Sequence, residues 1–153
     1  MDRTNKHHLL WVILACGLSQ NTFAADLKGL WKHVDDKTGA IKAVMQVRQE
    51  ANGSYSAKIL KVLGRQGFSP TDSCVSCPAP FTGKPIIGLD VLSGLSEKGK
   101  NQFEGGRLLD PFNGEMMNTK AKVSSSGNRL MLRNTAGSQQ ARTQVWMRLD
   151  SKN

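Results

Sequence analysis

Residues 102–120, QFEGGRLLDPFNGEMMNTK, decide the fold, because they predict two β-strands joined by one tight turn. Asp110 can accept hydrogen bonds from the backbone that follows it, and Pro111 has the backbone φ required at the second turn position. Asn113 and Gly114 tolerate the positive φ that is needed where the chain reverses. The segment therefore predicts a β-hairpin with DPFNG as its turn.

The same strand–turn–strand pattern continues on both sides of this hairpin. Short runs of alternating apolar residues are separated by turns rich in Gly, Asn and Asp, and no segment of helical length has a 3.6-residue period. We predict eight strands, at 29–34, 41–48, 55–63, 85–93, 102–109, 116–123, 129–133 and 143–149. Eight sequential antiparallel strands can close into an up-and-down barrel, which leaves no strand edge exposed. A β-sandwich is the alternative, but it needs longer crossing connections than these turns provide.

Two segments depart from the regular strand pattern. Gly105 and Gly106 would weaken a plain strand, so they predict a β-bulge, a sharp bend or a close approach by another backbone. Residues 64–84 are rich in Pro and Gly and show no periodicity. Long irregular loops in compact domains are often functional lids, so we predict that this loop forms a rim or lid of the barrel.

The N-terminus has the features of a signal peptide. A basic start is followed by ten mostly apolar residues and by Thr22-Phe23-Ala24, which predicts a signal peptide at 1–24 and a single β-barrel domain at 25–153. The apolar stretch is too short for a transmembrane helix, which needs roughly 20 residues. Cys16 leaves a lipid-anchored form as the less favoured alternative. We therefore predict a periplasmic or secreted protein.

The chain is strongly basic. Its formal charge of +9 becomes +8 when residues 1–24 are removed, because two basic residues and one acidic residue leave with them. A basic surface serves solubility, and it also attracts anionic envelope surfaces or acidic ligands. We do not expect nucleic acid as a partner, because there is no dense basic run and there are few aromatic residues for base stacking.

Cys74 and Cys77 are the two cysteines that remain after the predicted cleavage. An even pair in an exported protein indicates a disulfide. A redox-active dithiol would need its first Cys at a helix N-terminus, which the surrounding prolines disfavour. Zinc would need about four ligands, and His33 is the only histidine in residues 25–153. The predicted disulfide closes a small ring, so it should shape the long loop more than it stabilises the whole domain.

Gly29 and Trp31 form a Gly-x-Trp motif on the first predicted strand, and Arg148 lies near the end of the last strand. This pattern is similar to that of the calycin superfamily of lipocalins, fatty-acid-binding proteins and avidins. The resemblance implies that the Trp closes one end of the barrel and that the late Arg packs over its ring.

A second set of motifs covers nearly the whole predicted mature chain. In order they are Gly29-Leu30-Trp31, Cys74-x-x-Cys77, Pro85-Ile86-Ile87-Gly88-Leu89, Gly105-Gly106-x-Leu108-Leu109-Asp110-Pro111-x-Asn113-Gly114 and Trp146-x-Arg148. This succession resembles the bacterial exported family known as domain of unknown function 2147. The chain departs from the family at 133–137, and it has Met116-Met117 where the family has a Tyr. The resemblance implies an exported β-rich domain without an established activity.

Methionines and arginines are the candidate ligand-binding residues. Methionine adapts to irregular apolar shapes, which suits either a filled core or a pocket lining. An arginine can bind a ligand carboxylate through two parallel hydrogen bonds. We predict as ligand-binding residues Met45, Met117, Met131, Arg107 and Arg133, with Arg148 as a further candidate for the carboxylate.

No catalytic set is predicted. His33 lies close to Asp35 and Asp36, but this segment is predicted as a polar hairpin tip, and no second His or nucleophile motif completes a site. Asp110 is explained by the chemistry of its turn. We therefore expect no catalytic residue, no metal and no cofactor.

The sequence predicts a monomeric, non-enzymatic binding protein. Its barrel would hold a small apolar or amphipathic ligand, with an anionic head group as one option. The first alternative is an envelope-associated interaction module whose barrel is filled by side chains and holds no ligand. An enzyme is the second alternative.

Overall fold

Eight antiparallel strands close into a barrel in sequence order, with the first strand paired to the last. The computed structural model describes residues 26–149, so the predicted signal peptide, Ala25 and Cys16 lie outside the described residues. The strands are β1 Gly29–Val34, β2 Ile41–Gln49, β3 Tyr55–Val62, β4 Asp90–Gly99, β5 Gln102–Leu109, β6 Met116–Val123, β7 Arg129–Thr135 and β8 Arg142–Arg148. This confirms the predicted eight-stranded up-and-down barrel and excludes the sandwich.

Side-chain alternation along each strand fills the barrel. On β7, Leu130, Leu132 and Asn134 are buried, whereas Arg129 and Arg133 are exposed. Successive strand residues point to opposite faces of a sheet, so every second side chain enters the interior. Within residues 26–149 there is no helix, and hence none long and apolar enough to cross a membrane.

The hairpin of β5 and β6, called the central hairpin below, has the predicted turn at residues 110–114, the central turn. The Phe112 N–H donates to Asp110 Oδ1 over 2.9 Å, and the Gly114 N–H donates to the Asp110 carbonyl over 2.9 Å. Gly114 has a φ of +76°, a conformation that side chains with a Cβ rarely adopt.

The glycine pair in β5 forms the predicted bulge. The register between β5 and β6 shifts between Phe103 and Gly106, and Gly105 has a φ of +76°. A Cβ on Gly106 would lie 2.9 Å from Leu95 Cδ1, so the absence of a side chain there lets β4 and β5 pack closely.

The predicted position of β4 was wrong. The strand runs over Asp90–Gly99, whereas the predicted strand covered 85–93. Ile86 and Leu89 are buried, but they enter the core from the loop. Gly88, with a φ of +88°, donates its N–H to the Ile59 carbonyl and ends the irregular segment. Residues 85–89 therefore belong to the loop and cover the core. A short apolar segment of this kind has the same sequence pattern as a strand.

The two ends of the barrel differ. At the end where β1 begins and β8 ends, Trp31 is fully buried and its Nε1 donates to the Leu27 carbonyl over 2.9 Å. The Arg148 guanidinium lies 4.3 Å from the centre of the Trp31 ring and donates to the carbonyls of Asp26, Lys28 and Gly127. This is the closed-end contact that the calycin resemblance implied. The opposite end, called the open end below, carries the β1–β2, β3–β4, β5–β6 and β7–β8 connections.

Candidate functional site

A cavity of about 360 Å³ lies at the open end of the barrel. Its walls come from inward-facing residues of the strands, and its mouth comes from the loops. The lining residues are His33, Lys42, Ala43, Met45, Ile59, Val62, Leu63, Gly64, Arg65, Val91, Leu108, Leu109, Asp110, Pro111, Phe112, Gln144 and Trp146.

The inner part of the cavity is apolar. Met45, Ile59, Val91, Leu108 and Trp146 are each at most 4% exposed, and they come from five different strands. Such a lining can hold an aliphatic or aromatic group, because burying apolar surface is favourable by about 25 cal/mol per Å². The Trp146 indole gives this wall an intrinsic fluorophore.

One side of the barrel interior is polar. Thr119 and Asn134 are buried, and the Thr119 hydroxyl donates to Asn134 Oδ1 over 2.9 Å. Asn134 Nδ2 has no hydrogen-bond partner within residues 26–149. The strand register places Gln144 diagonally next to Asn134 and His33 diagonally next to Gln144. Polar side chains thus cross β6, β7, β8 and β1, and Gln144 and His33 reach the cavity.

His33 belongs to the cavity wall, whereas its sequence context predicts a polar hairpin tip. Burial lowers the pKa of its imidazole, and the nearby Lys42 ammonium lowers it further, whereas Asp35 and Asp110 oppose this shift. The imidazole is therefore neutral near pH 7 and offers one donor and one acceptor. The signal in the sequence was the spacing of two from Trp31, which puts both side chains on the same face of β1.

Arg65 is the cation at the cavity mouth without a nearby counter-charge. Its guanidinium carbon lies 3.7 Å from the centre of the Phe112 ring, and no carboxylate of the described chain lies within 4.0 Å of it. Lys42, in contrast, forms an ion pair with Asp35 that holds the pKa of the Asp35 carboxyl well below its usual range. Arg65 thus remains available to an anionic group. The loop sequence has no periodic pattern, so it did not indicate that Arg65 lies at the cavity mouth.

The β3–β4 loop, residues 63–89, is fastened to the central turn. The Phe68 and Phe112 rings meet edge to face with their centres 6.0 Å apart. Cys74 Sγ lies 3.2 Å from the Pro111 carbonyl oxygen, and a Cβ on Gly114 would overlap the Ser76 carbonyl. The loop therefore packs on a turn that forms part of the cavity mouth.

Cys74 and Cys77 form the predicted disulfide, and both are buried. The Cys74 N–H donates to the Lys84 carbonyl, and the Thr82 hydroxyl donates to the Cys77 carbonyl. The disulfide thus belongs to a tightly bonded part of the loop that rests on the turn.

The five predicted ligand-binding residues do not lie together. Met45 lines the cavity, and Met117 is buried in the barrel core outside the cavity lining. Arg107, Met131 and Arg133 point outward from β5 and β7 and are exposed. The sequence did not define which face each strand turns inward, because a shift of one residue reverses the face. Any contact of these three with a ligand would take place on the outer surface.

Within the described residues, no group of three His, Cys, Asp or Glu side chains is placed to hold a metal ion. The cavity lining there also contains no Ser, Thr, Cys or Tyr. His33 consequently has no hydroxyl or thiol nucleophile beside it in this cavity.

The comparisons with known proteins agree with this barrel. The protein HP1028 from Helicobacter pylori, described as belonging to the lipocalin family, shares the fold with a TM-score of 0.68 at 19% identity. The match covers 84% of this chain and 86% of that chain. No curated protein matches the sequence significantly. The sequence profile of the family described as "Uncharacterized protein conserved in bacteria (DUF2147)" matches residues 29–148. Because this match spans most of the chain, the protein belongs to the DUF2147 family.

Proposed function

We propose that this protein is an exported binding protein that holds one small amphipathic molecule in the open-end cavity. The observation that carries the proposal is the cavity itself, with an apolar inner wall and a charged mouth. Its volume of about 360 Å³ lies at the lower end of the range of roughly 300–1,000 Å³ found for small-molecule sites. This open space favours ligand binding over a filled barrel that acts only through its surface.

The charge at the mouth supports an anionic head group. Arg65 offers a planar guanidinium that can bind a carboxylate, sulfonate or phosphate with two parallel hydrogen bonds. The Asp110 carboxylate, at the same mouth, already accepts a hydrogen bond from its own turn. The apolar part of the ligand would then extend inward toward Met45 and Trp146.

The loop 63–89 supports a role as the cover of this site. Leu63, Gly64 and Arg65 belong to the cavity lining, and the rest of the loop is fastened to the turn that carries Phe112. A ligand that enters from the loop end must pass this region. We therefore expect changes in the loop to alter ligand exchange.

Two fluorescent probes with related aromatic frames test the proposal. 1-Anilinonaphthalene-8-sulfonate carries a sulfonate, whereas N-phenyl-1-naphthylamine has no charge. The wild-type protein should bind both probes saturably at one site, with energy transfer from the barrel tryptophans Trp31 and Trp146. Arg65→Gln should weaken the sulfonate probe about tenfold, as for one lost charge-assisted pair, and leave the neutral probe nearly unchanged.

The matched control uses neighbouring positions on β2. Ala43→Phe places a ring in the cavity, and it should abolish binding of both probes. Val44 points to the opposite side of the strand, so Val44→Phe should bind both probes as the wild type does. The proposed function fails if neither probe binds saturably, or if Ala43→Phe and Val44→Phe behave alike.

A further inference from the structure

Five cationic side chains point outward from three adjacent strands on one wall of the barrel. They are exposed, and we call them the basic face: Arg107 on β5, Lys120 and Lys122 on β6, and Arg129 and Arg133 on β7. Across residues 26–149, the one carboxylate within ion-pair distance of any of them is Glu104, 3.1 Å from Lys120 Nζ. This wall therefore has a large excess of positive charge.

The strand register places like charges side by side. Lys120 and Arg133 are direct cross-strand partners, and Arg107 is diagonal to Lys120 because it pairs with Asn118. Like charges directly opposite each other destabilise a sheet. The stability of the sheet does not explain this arrangement. An anionic partner bound to the outer face of these strands would neutralise the positive charge.

Apolar surface lies among these cations. Met131 is 38% exposed and is the direct partner of Lys122 on one side and Val145 on the other. Met131, Lys122 and Arg133 line a shallow groove of about 310 Å³. Lysine and arginine over exposed apolar groups are typical of surfaces that meet the headgroup region of a bilayer.

We propose that the basic face docks this protein on an anionic lipid bilayer, with lipid phosphates between Lys120 and Arg133 and Met131 at the level of the headgroups. Basic residues near such a surface each contribute to binding, and the attraction falls off within a Debye length. The outward side chains of this wall include no aromatic residue, so the base stacking that single-stranded nucleic acid requires is missing. The proposal does not depend on a ligand in the cavity.

Vesicle co-sedimentation tests the docking with the mature protein. Vesicles of phosphatidylglycerol mixed with phosphatidylcholine should bind it, pure phosphatidylcholine should not, and about 0.5 M NaCl should abolish binding. The double variant Lys120→Glu/Arg133→Glu should lower the partition coefficient at least about tenfold. Met131→Ser should lower it by a smaller factor.

The control has the same charge change on another wall. Lys58→Glu/Lys61→Glu on β3 should keep most of the binding, because these residues lie outside the basic face. Equal losses for the two double variants would show that net charge, and not this face, determines binding, and would overturn the proposal. Failure to bind phosphatidylglycerol vesicles would do so as well, as would binding to heparin or oligo(dT) that anionic vesicles cannot displace.

A single variant separates docking from folding. Arg133→Glu replaces a like-charge pair by an opposite-charge pair with Lys120, so its unfolding midpoint should be equal to or above that of the wild type. Its vesicle binding should nevertheless fall. Both fluorescent probes should still bind in the cavity, so that a failure of docking is distinguishable from a failure of the proposed ligand site.

Discussion

Arg148 connects the last strand with the segment before the first strand. Its guanidinium covers Trp31 and donates to three backbone carbonyls, which a lysine ammonium cannot do in the same plane. We expect Arg148→Lys to lower the free energy of unfolding by about 1–3 kcal/mol, from lost cation–π contact and lost charged hydrogen bonds. Urea unfolding followed by tryptophan fluorescence measures this.

Arg142 provides the control for that prediction on the same strand. It is exposed and forms a 3.4 Å ion pair with Glu115 at the open end. Exposed ion pairs contribute about 0–1 kcal/mol, so Arg142→Lys should hardly move the unfolding midpoint. Equal unfolding midpoints for the wild type and Arg148→Lys would contradict a stabilising contact between Trp31 and Arg148 at the closed end, which we call the plug.

His33 should make stability depend on pH. The pKa of His33 in the folded protein lies below the ordinary value of about 6.5 for a free imidazole, so near and below that pH the unfolded chain binds the proton more readily than the folded one. The free energy of unfolding should therefore fall as the pH is lowered from 7 toward 5. Asp35, whose pKa is strongly lowered, affects stability only at more acidic pH.

The variant His33→Gln should remove this slope while keeping a hydrogen-bonding side chain at the cavity wall. Urea midpoints at pH 7 and pH 5 give the measurement, and the wild type should lose more between them than His33→Gln. His33 is the only histidine in residues 25–153, so no other imidazole contributes. Parallel pH profiles for the two proteins would show that His33 is not held neutral by the fold.

The turn residues and the plug could be predicted because their roles depend on local backbone chemistry or on a known pairing. Asp110 and Gly114 serve the turn wherever the hairpin lies, and Trp31 and Arg148 follow from the calycin resemblance. The inward or outward orientation of a strand side chain could not be predicted in this way. Bulges between β4, β5 and β6 shift the strand register, so counting from a turn does not tell whether Arg107 points inward or outward.

At the scale of elements, the β3–β4 loop was recognised but its limits were not. Its last part, residues 85–89, is apolar because it covers the core, and a short apolar run has the composition of a strand. The contact of the loop with the central turn joins segments far apart in sequence. No local pattern predicts it, and Gly114 was predicted only as a turn residue with positive φ.

The docking of the loop on the turn can be tested at Gly114. Gly114→Ala should strain the backbone at positive φ and also force the loop away, because the new methyl group would overlap the Ser76 carbonyl. We expect a loss of about 2–4 kcal/mol in the free energy of unfolding and faster release of N-phenyl-1-naphthylamine. Denaturant titration and stopped-flow fluorescence measure the two effects.

Gly127 is a matched control for this substitution. Its φ of +74° is close to the +76° of Gly114, but among residues 26–149 no atom beyond its two chain neighbours lies within 4 Å of the position of its Cβ. Gly127→Ala should therefore show only the backbone cost, about 1–2 kcal/mol, and unchanged probe release. If the two variants were equally destabilised and released the probe alike, the loop would not be fastened through Gly114.

At the scale of the whole molecule, three features occupy separate places. The plug closes one end, the cavity lies at the other, and the basic face covers part of the wall between them. A barrel stabilised away from its mouth can keep a cavity that its own side chains do not fill. Because the basic face lies on the outer wall, docking on a bilayer would leave the cavity mouth outside the contact.

Export acts on the whole chain. We expect removal of residues 1–24, so that the protein purified from the periplasm or medium of a bacterial host begins at Ala25 and is a monomer. The Cys74–Cys77 disulfide supports this prediction, because such bonds persist in oxidising compartments. Intact mass spectrometry should find the mass of 25–153 less two hydrogens, and light scattering should find one chain per particle. A lipid-modified protein beginning at Cys16, or an uncleaved chain in which Cys74 and Cys77 are free thiols, would contradict it. A lipid-modified chain would also hold the barrel at a membrane without the basic face, so the vesicle experiments must use protein whose N-terminus has been identified.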